Sequence, residues 1–232
     1  MNKPLIEIIT PFSCPVNKET AFIKAAETFG SSIVLTKYNY NYKTSDILNW
    51  NSKCVMSGKF YQAASQQPRY NGLFGAPGSI WADSVNGLYN MDAATKAKIT
   101  DLLDDPTAWS IEGNHTYDGT NVTVNVKVKS QTGVANSNIR CLVWLQEKAT
   151  STYKHQFRQC VNGWQGTIVP DTLHENEEFS FSITSAVNKL IKPGSAWGTD
   201  FDVVIAVVDT TPYNGYGLDP LCQRLCLGAI YA

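Results

Sequence analysis

The pattern of the chain changes at Asp104-Asp105-Pro106. Residues before this point mix strand-like and helix-like segments, whereas residues after it are almost wholly strand-like. The clearest segment is 121–129, where valines at every second position alternate with Asn, Thr and Lys. Such alternation predicts a strand with one buried and one solvated face. We therefore predict two domains, an α/β domain over residues 1–105 and an all-β domain over residues 106–232.

The N-terminal part predicts a β-α-β start followed by a β-β-α finish. Apolar residues three and four apart predict the first helix, which Gly30 ends, and Asp92 is the predicted N-cap of the last helix. The predicted strands are 5–9, 31–38 and 78–82, the predicted helices are 18–29, 46–64 and 92–103, and a hairpin turn is predicted at 85–88.

The C-terminal part predicts an antiparallel β-sandwich of immunoglobulin-like type, because short strands recur with turn signals between them. The predicted strands are 109–116, 121–129, 140–147, 153–161, 178–184, 201–209 and 225–231.

One hairpin has a predicted register. A turn at 149–152 places opposite-charge and aromatic pairs across from each other, which favours that register. The pairs are Glu147 with Lys154, Gln146 with His155, Trp144 with Phe157, and Cys141 with Cys160. Cys141 and Cys160 would then be close enough for a disulfide, with two reduced, half-buried cysteines as the alternative. Six cysteines allow fifteen complete pairings, so the sequence leaves the connectivity open.

Composition excludes several classes of function. A net charge of -1 and a pI near 6.3 give no reason to expect nucleic-acid or anionic-membrane binding. The sequence contains no run of about 18 apolar residues, so we expect no membrane span. The residues at its N-terminus do not follow the charged-then-apolar pattern of a signal peptide, so we expect none there. We expect no metal and no cofactor, because the three histidines are scattered and no cofactor-binding motif occurs.

Compartment and oligomeric state remain open, with a virion or a bacterial cell surface or periplasm among the alternatives.

Cys14 is the most enzyme-like residue of the chain. It lies between the first strand and the first helix, where thiol-disulfide enzymes keep two cysteines. The Cys14-Pro15 loop and the distant Gly75-Ala76-Pro77 segment resemble a thioredoxin fold, which makes Pro77 a candidate cis-proline facing that loop.

The predicted sandwich contains two short segments, Tyr153-Lys154-His155 and the downstream Asn162-Gly163-Trp164-Gln165-Gly166. With these segments, the layout as a whole resembles the Omp28-related family, a thioredoxin-like domain followed by a β-sandwich. Members of the family commonly show Cys-x-x-Cys-Pro after the first strand. On that pattern the first cysteine falls on Pro11, and a glutaredoxin-like alignment instead places Asn17 at the partner position. Both alignments remove the dithiol, so the resemblance implies a redox-deficient thioredoxin-like domain.

Tyrosines provide a candidate interaction surface. Tyr38, Tyr40 and Tyr42 alternate along one strand, and Tyr213 and Tyr216 lie in an aromatic, glycine-rich loop. Tyrosine is favoured at interfaces because it combines apolar area with a hydroxyl. A core face with hydroxyls at its rim is the alternative for the first three.

These observations favour a non-enzymatic structural or interaction module whose partners are other proteins, for example in a virion or cell-surface assembly. The alternative is a monothiol oxidoreductase that uses Cys14, since a helix N-terminus lowers the pKa of a cysteine. A second alternative is a glycan-binding sandwich, which predicts solvent-facing tryptophans such as Trp164 or Trp197.

Overall fold

The structure, a computed structural model, describes most of the chain. The described residues are 2–11, 17–40, 67–70, 73–74, 89–104, 107–134, 138–148, 154–163, 165–187, 201–211 and 225–232. The predicted segments 46–64, 78–82 and 85–88 lie outside them.

The described part is mostly β-sheet with few helices. The helices are α1 (Asn17–Glu27) and α2 (Tyr89–Leu103), and a 3-10 turn spans Gly30–Ser32. The strands are β1 (Leu5–Pro11), β2 (Val34–Tyr40), β3 (Gln67–Tyr70), β4 (Leu73–Phe74), β5 (Trp109–Tyr117), β6 (Asn121–Ser130), β7 (Ile139–Glu147), β8 (Phe157–Cys160), β9 (Thr167–Ile168), β10 (Glu178–Ala186), β11 (Phe201–Asp209) and β12 (Leu225–Tyr231).

The first sheet has the strand order β2-β1-β3-β4. Strands β1 and β2 are parallel and α1 connects them, whereas β3 and β4 pair antiparallel. Because side chains alternate along a strand, Ile6 and Ile8 of β1 pack under the helices with Phe22 and Ile99. Leu5, on the opposite face of β1, packs instead against residues of the C-terminal half.

The C-terminal half consists of two antiparallel sheets around one hydrophobic core. One sheet has the order β10-β6-β5 and the other β12-β11-β7-β8, with β9 also paired to β7. The four valines of β6 are at most 3% exposed and belong to this core, as their alternation predicts. The polar residues between them face outward.

The β12-β11-β7-β8 sheet, here called the middle sheet, is buried on both faces. Val203 and Ile205 of β11 belong to the core between the two C-terminal sheets, while Val204 and Ala206 pack on the other side with Leu5 and Val34. This explains why β11 is a nearly continuous apolar run rather than an alternating one. The layers are therefore the helices, the first sheet, the middle sheet and the β10-β6-β5 sheet.

Several predicted boundaries are wrong. Helix α2 begins at Tyr89, so Asp92 lies inside it and is not its N-cap. The second strand begins at Val34, because Gly30–Ser32 form a 3-10 turn first. Strands β3, β4 and β9 were not predicted; β4 and β9 are two residues long and too short to show a period.

The predicted hairpin register is also wrong. Trp144 lies opposite Cys160, and Cys141 lies opposite Thr167 of β9. The shift arises because the connection is longer than the predicted turn and because a bulge interrupts the β7-β8 pairing at Leu145/Gln146. Cys141 and Cys160 are therefore not cross-strand neighbours, and neither forms a disulfide in the described part of the chain.

Neither of the described helices is long and apolar enough to cross a membrane.

Candidate functional site

Most residues of the predicted sites lie outside the part of the chain that the structure describes. These are Cys14, Pro77, Tyr42, Tyr213, Tyr216 and the tryptophans Trp164 and Trp197. Tyr40 is in β2, but its side chain is also outside the described residues.

Tyr38 is not on a surface. It is 3% exposed, its ring lies 5.3 Å from that of Phe157, and its hydroxyl donates a 2.9 Å hydrogen bond to Oε1 of Glu7. Tyr38 thus contributes to the packing between the first sheet and the middle sheet. Its assignment to an interaction surface is wrong, because its face of β2 is covered by the C-terminal half.

The described cysteines do not favour thiol chemistry. Complete burial raises the pKa of Cys141, and burial also raises the pKa of Cys226 to about 12. Since the thiolate is the nucleophile, a raised pKa disfavours nucleophilic chemistry at both side chains at neutral pH. Cys160 is half-buried at the end of β8.

Buried polar contacts join the edge strand β2 to the middle sheet. Thr36 Oγ1 donates to Gln146 Oε1 at 2.7 Å, and Gln146 Nε2 donates to the Leu35 carbonyl at 2.9 Å. The Leu35 amide donates to the Tyr231 hydroxyl at 3.0 Å. Burial raises the pKa of Tyr231 to about 12, which keeps its hydroxyl neutral. These contacts satisfy backbone groups that an edge strand would otherwise leave exposed.

Within the Tyr153-Lys154-His155 motif, His155 has a structural role at the same edge. His155 adopts a left-handed backbone with φ of 57°, and its carbonyl accepts a 2.8 Å hydrogen bond from the Lys37 amide of β2. Its Nε2 lies 3.5 Å from Oε1 of Glu27 at the end of α1. Burial lowers the pKa of His155, opposed by the nearby Glu27 carboxylate and reinforced by Lys154. His155 therefore joins the segment before β8 to strand β2 and to the end of α1.

Next to it is a buried ion pair. Arg158 Nη2 contacts Oε1 of Glu147, and the two residues are 0% and 4% exposed. Arg158 lies in the bulge of β8, between the paired residues Phe157 and Gln159. The bulge turns the Arg158 side chain toward Glu147. The ion pair therefore joins two residues that are not a facing pair in the β7-β8 register.

The Asn-Gly-Trp-x-Gly motif closes the connection between β8 and β9. The Asn162 side chain accepts from the Val143 amide at 2.9 Å and donates to the Cys141 carbonyl at 2.8 Å, as a paired strand residue would. Gly163 and Gly166 have φ of 72° and 68°, which glycine adopts without steric cost. Asn162, Gly163 and Gly166 are thus explained by the geometry of this loop.

The solvent-facing side of the β10-β6-β5 sheet, here called the outer face, is a polar surface. Register arranges its side chains in rows across the three strands. The rows are Ser110, Lys129 and Glu178; Glu112, Lys127 and Ser180; Asn114, Asn125 and Ser182; and Thr116, Thr123 and Thr184.

Neighbouring side chains of the outer face bond to one another. Asn125 Nδ2 donates to Asn114 Oδ1 at 3.0 Å, and the Thr123 and Thr184 hydroxyls are 2.8 Å apart. Lys127 Nζ lies 3.4 Å from Glu178 Oε2. Sequence analysis predicted the polar side of β6 but gave no sign that β5 and β10 extend it, because pairing partners are not visible in an alternating pattern.

Within the described residues there is no group of three or more His, Cys, Asp and Glu side chains that could hold a metal ion.

Comparison with known proteins shows a similar fold. No family model and no curated protein matches the chain. Among solved structures, HBP35 of Porphyromonas gingivalis has a similar structure with a TM-score of 0.67. The match covers 100% of this chain and 74% of the HBP35 chain, at 10% sequence identity. A domain of the outer membrane lipoprotein Omp28 from the same organism matches 55% of this chain and 88% of its own at 19% identity, with a TM-score of 0.39. Protein AGR_C_4864 from Agrobacterium tumefaciens matches 99% of this chain and 93% of its own at 13% identity, with a TM-score of 0.46. The first of these likenesses concerns the fold alone, and the other two are too weak to support an argument.

Proposed function

We propose that the chain is a non-enzymatic module for protein-protein contact and that the outer face is its contact surface. One observation carries this proposal: the four rows of the outer face contain only Ser, Thr, Asn, Lys and Glu side chains. Eight of these twelve side chains are short, neutral and able to both donate and accept hydrogen bonds.

Short neutral side chains suit a contact surface for an energetic reason. Immobilising a long, rotamer-rich side chain at an interface costs about 0.5–1.5 kcal/mol, and Ser, Thr and Asn have fewer rotatable bonds to lose. The charged side chains of the outer face, two Lys and two Glu, cancel in sign. A partner therefore meets little electrostatic repulsion, and specificity comes from hydrogen-bond geometry.

The rest of the proposal follows from the sequence. We infer a redox-deficient thioredoxin-like domain over residues 1–105 and an immunoglobulin-like sandwich over residues 106–232, in an arrangement of the Omp28-related kind. Pro11 and Asn17 occupy the positions at which a second thiol would stand. The buried Cys141 and Cys226 do not replace it.

Site-specific photocrosslinking in the native host tests the contact surface. A benzophenone amino acid replaces Asn125, at the centre of the outer face, or the exposed Lys98 of α2 as the matched control. We expect discrete crosslinked protein bands from position 125 and not from position 98. A band in which the partner is a second copy of this chain counts as such a product. Equal crosslinking from both positions, or none from position 125, would contradict the proposal.

Insulin reduction tests the absence of redox catalysis. We expect the wild type and Cys14→Ser to reduce insulin equally slowly with dithiothreitol as the electron donor. Insulin reduction by the wild type that Cys14→Ser abolishes would show instead that the chain is a monothiol oxidoreductase.

A further inference from the structure

We propose that two copies of this chain pair through the edge of strand β10, antiparallel, so that their β10-β6-β5 sheets join into one. Strand β10 is at the end of that sheet and pairs with β6 on one side. An edge strand presents a row of backbone N–H and C=O groups that a second strand can bind. The pairing uses these backbone groups rather than the side chains of the outer face, and it therefore goes beyond the proposed contact surface.

Alternate residues of β10 point their backbone groups away from β6. In an antiparallel pair, every second residue bonds to the partner strand and the residues between them bond outward. The Val187 amide, in register after the strand, donates to the Thr120 carbonyl at 2.8 Å, which assigns the odd-numbered residues to β6. The Ala186 carbonyl points the other way, since it accepts a 2.7 Å hydrogen bond from Gln159 Nε2. The other outward residues are Glu178, Ser180, Ser182 and Thr184.

The outward backbone groups of these four residues are here called the open edge. In the part of the chain that the structure describes, they make no hydrogen bond. The side chains of β10 show the same openness. Phe179, Phe181 and Ile183 face the core between the C-terminal sheets, yet each is only partly buried, whereas the core-facing valines of β6 are at most 3% exposed. A strand added beyond β10 would cover these three side chains.

Two other sheet edges are closed by the N-terminal segment. On β5, the Asn2 side chain donates to the Trp109 carbonyl and accepts a 2.9 Å hydrogen bond from the Ile111 amide. On β12, Lys3 pairs with Ala229 through two 3.0 Å backbone hydrogen bonds. Among the described residues, the contact of β10 with β8 is confined to the last two residues of β10. The chain thus closes the edges of β5 and β12 and leaves most of β10 open.

The side-chain pattern of β10 selects a second copy as its partner. A strand that completes this edge needs apolar side chains toward the core and short polar ones toward the outer face, at alternate positions. Strand β10 has that pattern itself. It also lacks the features by which edge strands avoid pairing: Glu178 is its one charged residue, it contains no proline, and no bulge interrupts its register with β6.

A two-fold pairing centred on Phe181 satisfies the open edge. It places Ser180 opposite Ser182 of the second copy and Glu178 opposite Thr184 of the second copy, both as hydrogen-bonded pairs. Phe181 then faces its own copy at a non-hydrogen-bonded site, where facing side chains lie closest. No charge faces a like charge, and the paired segment stops before the two residues that contact β8. The interface is therefore self-complementary, as a two-fold dimer requires.

Sedimentation velocity of the purified chain tests the pairing. We expect a reversible monomer-dimer equilibrium between about 1 µM and about 500 µM, because a short strand pair buries less area than a permanent dimer interface. A chain that stays monomeric over that range would overturn the proposal. This is the result expected if the edge instead binds an extended segment of another protein.

Hydrogen exchange at the two ends of that range locates the contact. The amides of Ser180, Ser182 and Thr184 should exchange more slowly in the dimer, because they become hydrogen-bonded. The amides of Phe181 and Ile183 are the matched controls, since they bond to β6 in both states. Dimerisation without added protection at the first three amides, or protection of them already in the monomer, would overturn the proposal.

Two double variants at the same positions test the register. Ser180→Lys with Ser182→Lys places like charges opposite each other across the two-fold axis, whereas Ser180→Glu with Ser182→Lys places opposite charges there. We expect the first variant to weaken dimerisation about tenfold or more and the second to dimerise about tenfold or more tightly than the first. Both positions are exposed, so both variants should fold. Equal dimerisation of the two variants would overturn the pairing centred on Phe181.

Discussion

Thr36 and Gln146 are separated by 110 positions in the chain, yet the Thr36 hydroxyl donates a 2.7 Å hydrogen bond to Gln146 with both residues 0% exposed. The contact joins the first sheet to the middle sheet. Because the contact is buried, removing one partner leaves the other without a hydrogen bond and away from water. This lowers the free energy of unfolding more than the loss of a surface hydrogen bond does.

We predict coupling between these two residues. Thr36→Val or Gln146→Met alone leaves a buried polar partner with fewer hydrogen bonds, so each should lower the free energy of unfolding by about 1–3 kcal/mol. The double variant should lose less than the sum of the two, by about 0.5–3 kcal/mol. Urea unfolding of the four proteins measures the cycle.

The matched control for this cycle is Thr123→Val. The Thr123 hydroxyl also forms a 2.8 Å hydrogen bond, but on the solvated outer face. We expect a loss below about 0.5 kcal/mol there. Additive effects at Thr36 and Gln146 would show that their contact contributes no coupling between the two sheets.

His155 should make stability depend on pH. Burial lowers its pKa in the folded protein below the value of 6.5 that an unburied histidine has. The unfolded chain therefore binds more protons below pH 6.5, so the stability contributed by neutral His155 is present above that pH and is lost as the pH falls.

The variant His155→Asn tests this dependence, since Asn tolerates the left-handed backbone at this position. Between about pH 7.5 and about pH 5.5, urea unfolding should show a larger loss of stability for the wild type than for His155→Asn. His174→Asn, at an exposed histidine, should behave as the wild type does. A wild type and a His155→Asn protein with parallel pH profiles would contradict the prediction.

The two glycines of the Asn-Gly-Trp-x-Gly segment should differ in their tolerance of alanine. Both have positive φ, so each substitution costs about 1–2 kcal/mol for the left-handed backbone. A Cβ on Gly166 would also lie 2.7 Å from the Cys141 carbonyl oxygen, whereas one on Gly163 meets no atom within 4 Å.

Gly166→Ala should therefore lower the free energy of unfolding by about 1–3 kcal/mol more than Gly163→Ala, the matched control. Thermal or urea unfolding measures the difference. Equal losses would mean that the β8-β9 connection moves to accommodate the added methyl group.

The described cysteines should differ in reactivity toward N-ethylmaleimide at about pH 8. Cys160 is half-buried and should be labelled in the folded protein. Cys141 and Cys226 should be labelled only after unfolding, because burial raises the pKa of both thiols. Peptide mapping by mass spectrometry identifies the labelled sites, and rapid labelling of Cys226 in the folded state would contradict its burial.

Sequence patterns predicted strands with one buried face and also the doubly buried strand β11, Phe201–Asp209, but they did not show which part of the chain covers each face. The valines of β6 alternate because only one side of that strand is covered. For Tyr38 the sequence left an interaction surface and a core face as alternatives, because nothing in its local pattern shows that the middle sheet covers it; the structure places it in the core. The predicted hairpin register failed because Arg158 is an extra residue in β8 that shifts the facing pairs, and a sequence pattern does not show such a bulge.

The sequence predicted less of the candidate site than of the fold. Among the described residues of the two short motifs behind the Omp28-related resemblance, His155 has a structural role at the edge of β2 and Asn162 has one between β7 and β9. The rows of the outer face depend on strands far apart in sequence. A single sequence contains no signal for such neighbours.

The double burial of the middle sheet restricts how this chain can evolve. A sandwich cut free of the first 105 residues would present Val204, Ala206 and Trp144 to water on what is now an internal face. Recombination that exchanges one half for a foreign one would need a replacement matched in shape to that face. The two halves are therefore expected to be inherited together, and drift at Leu5 or Val34 is constrained by strands encoded in the other half of the gene.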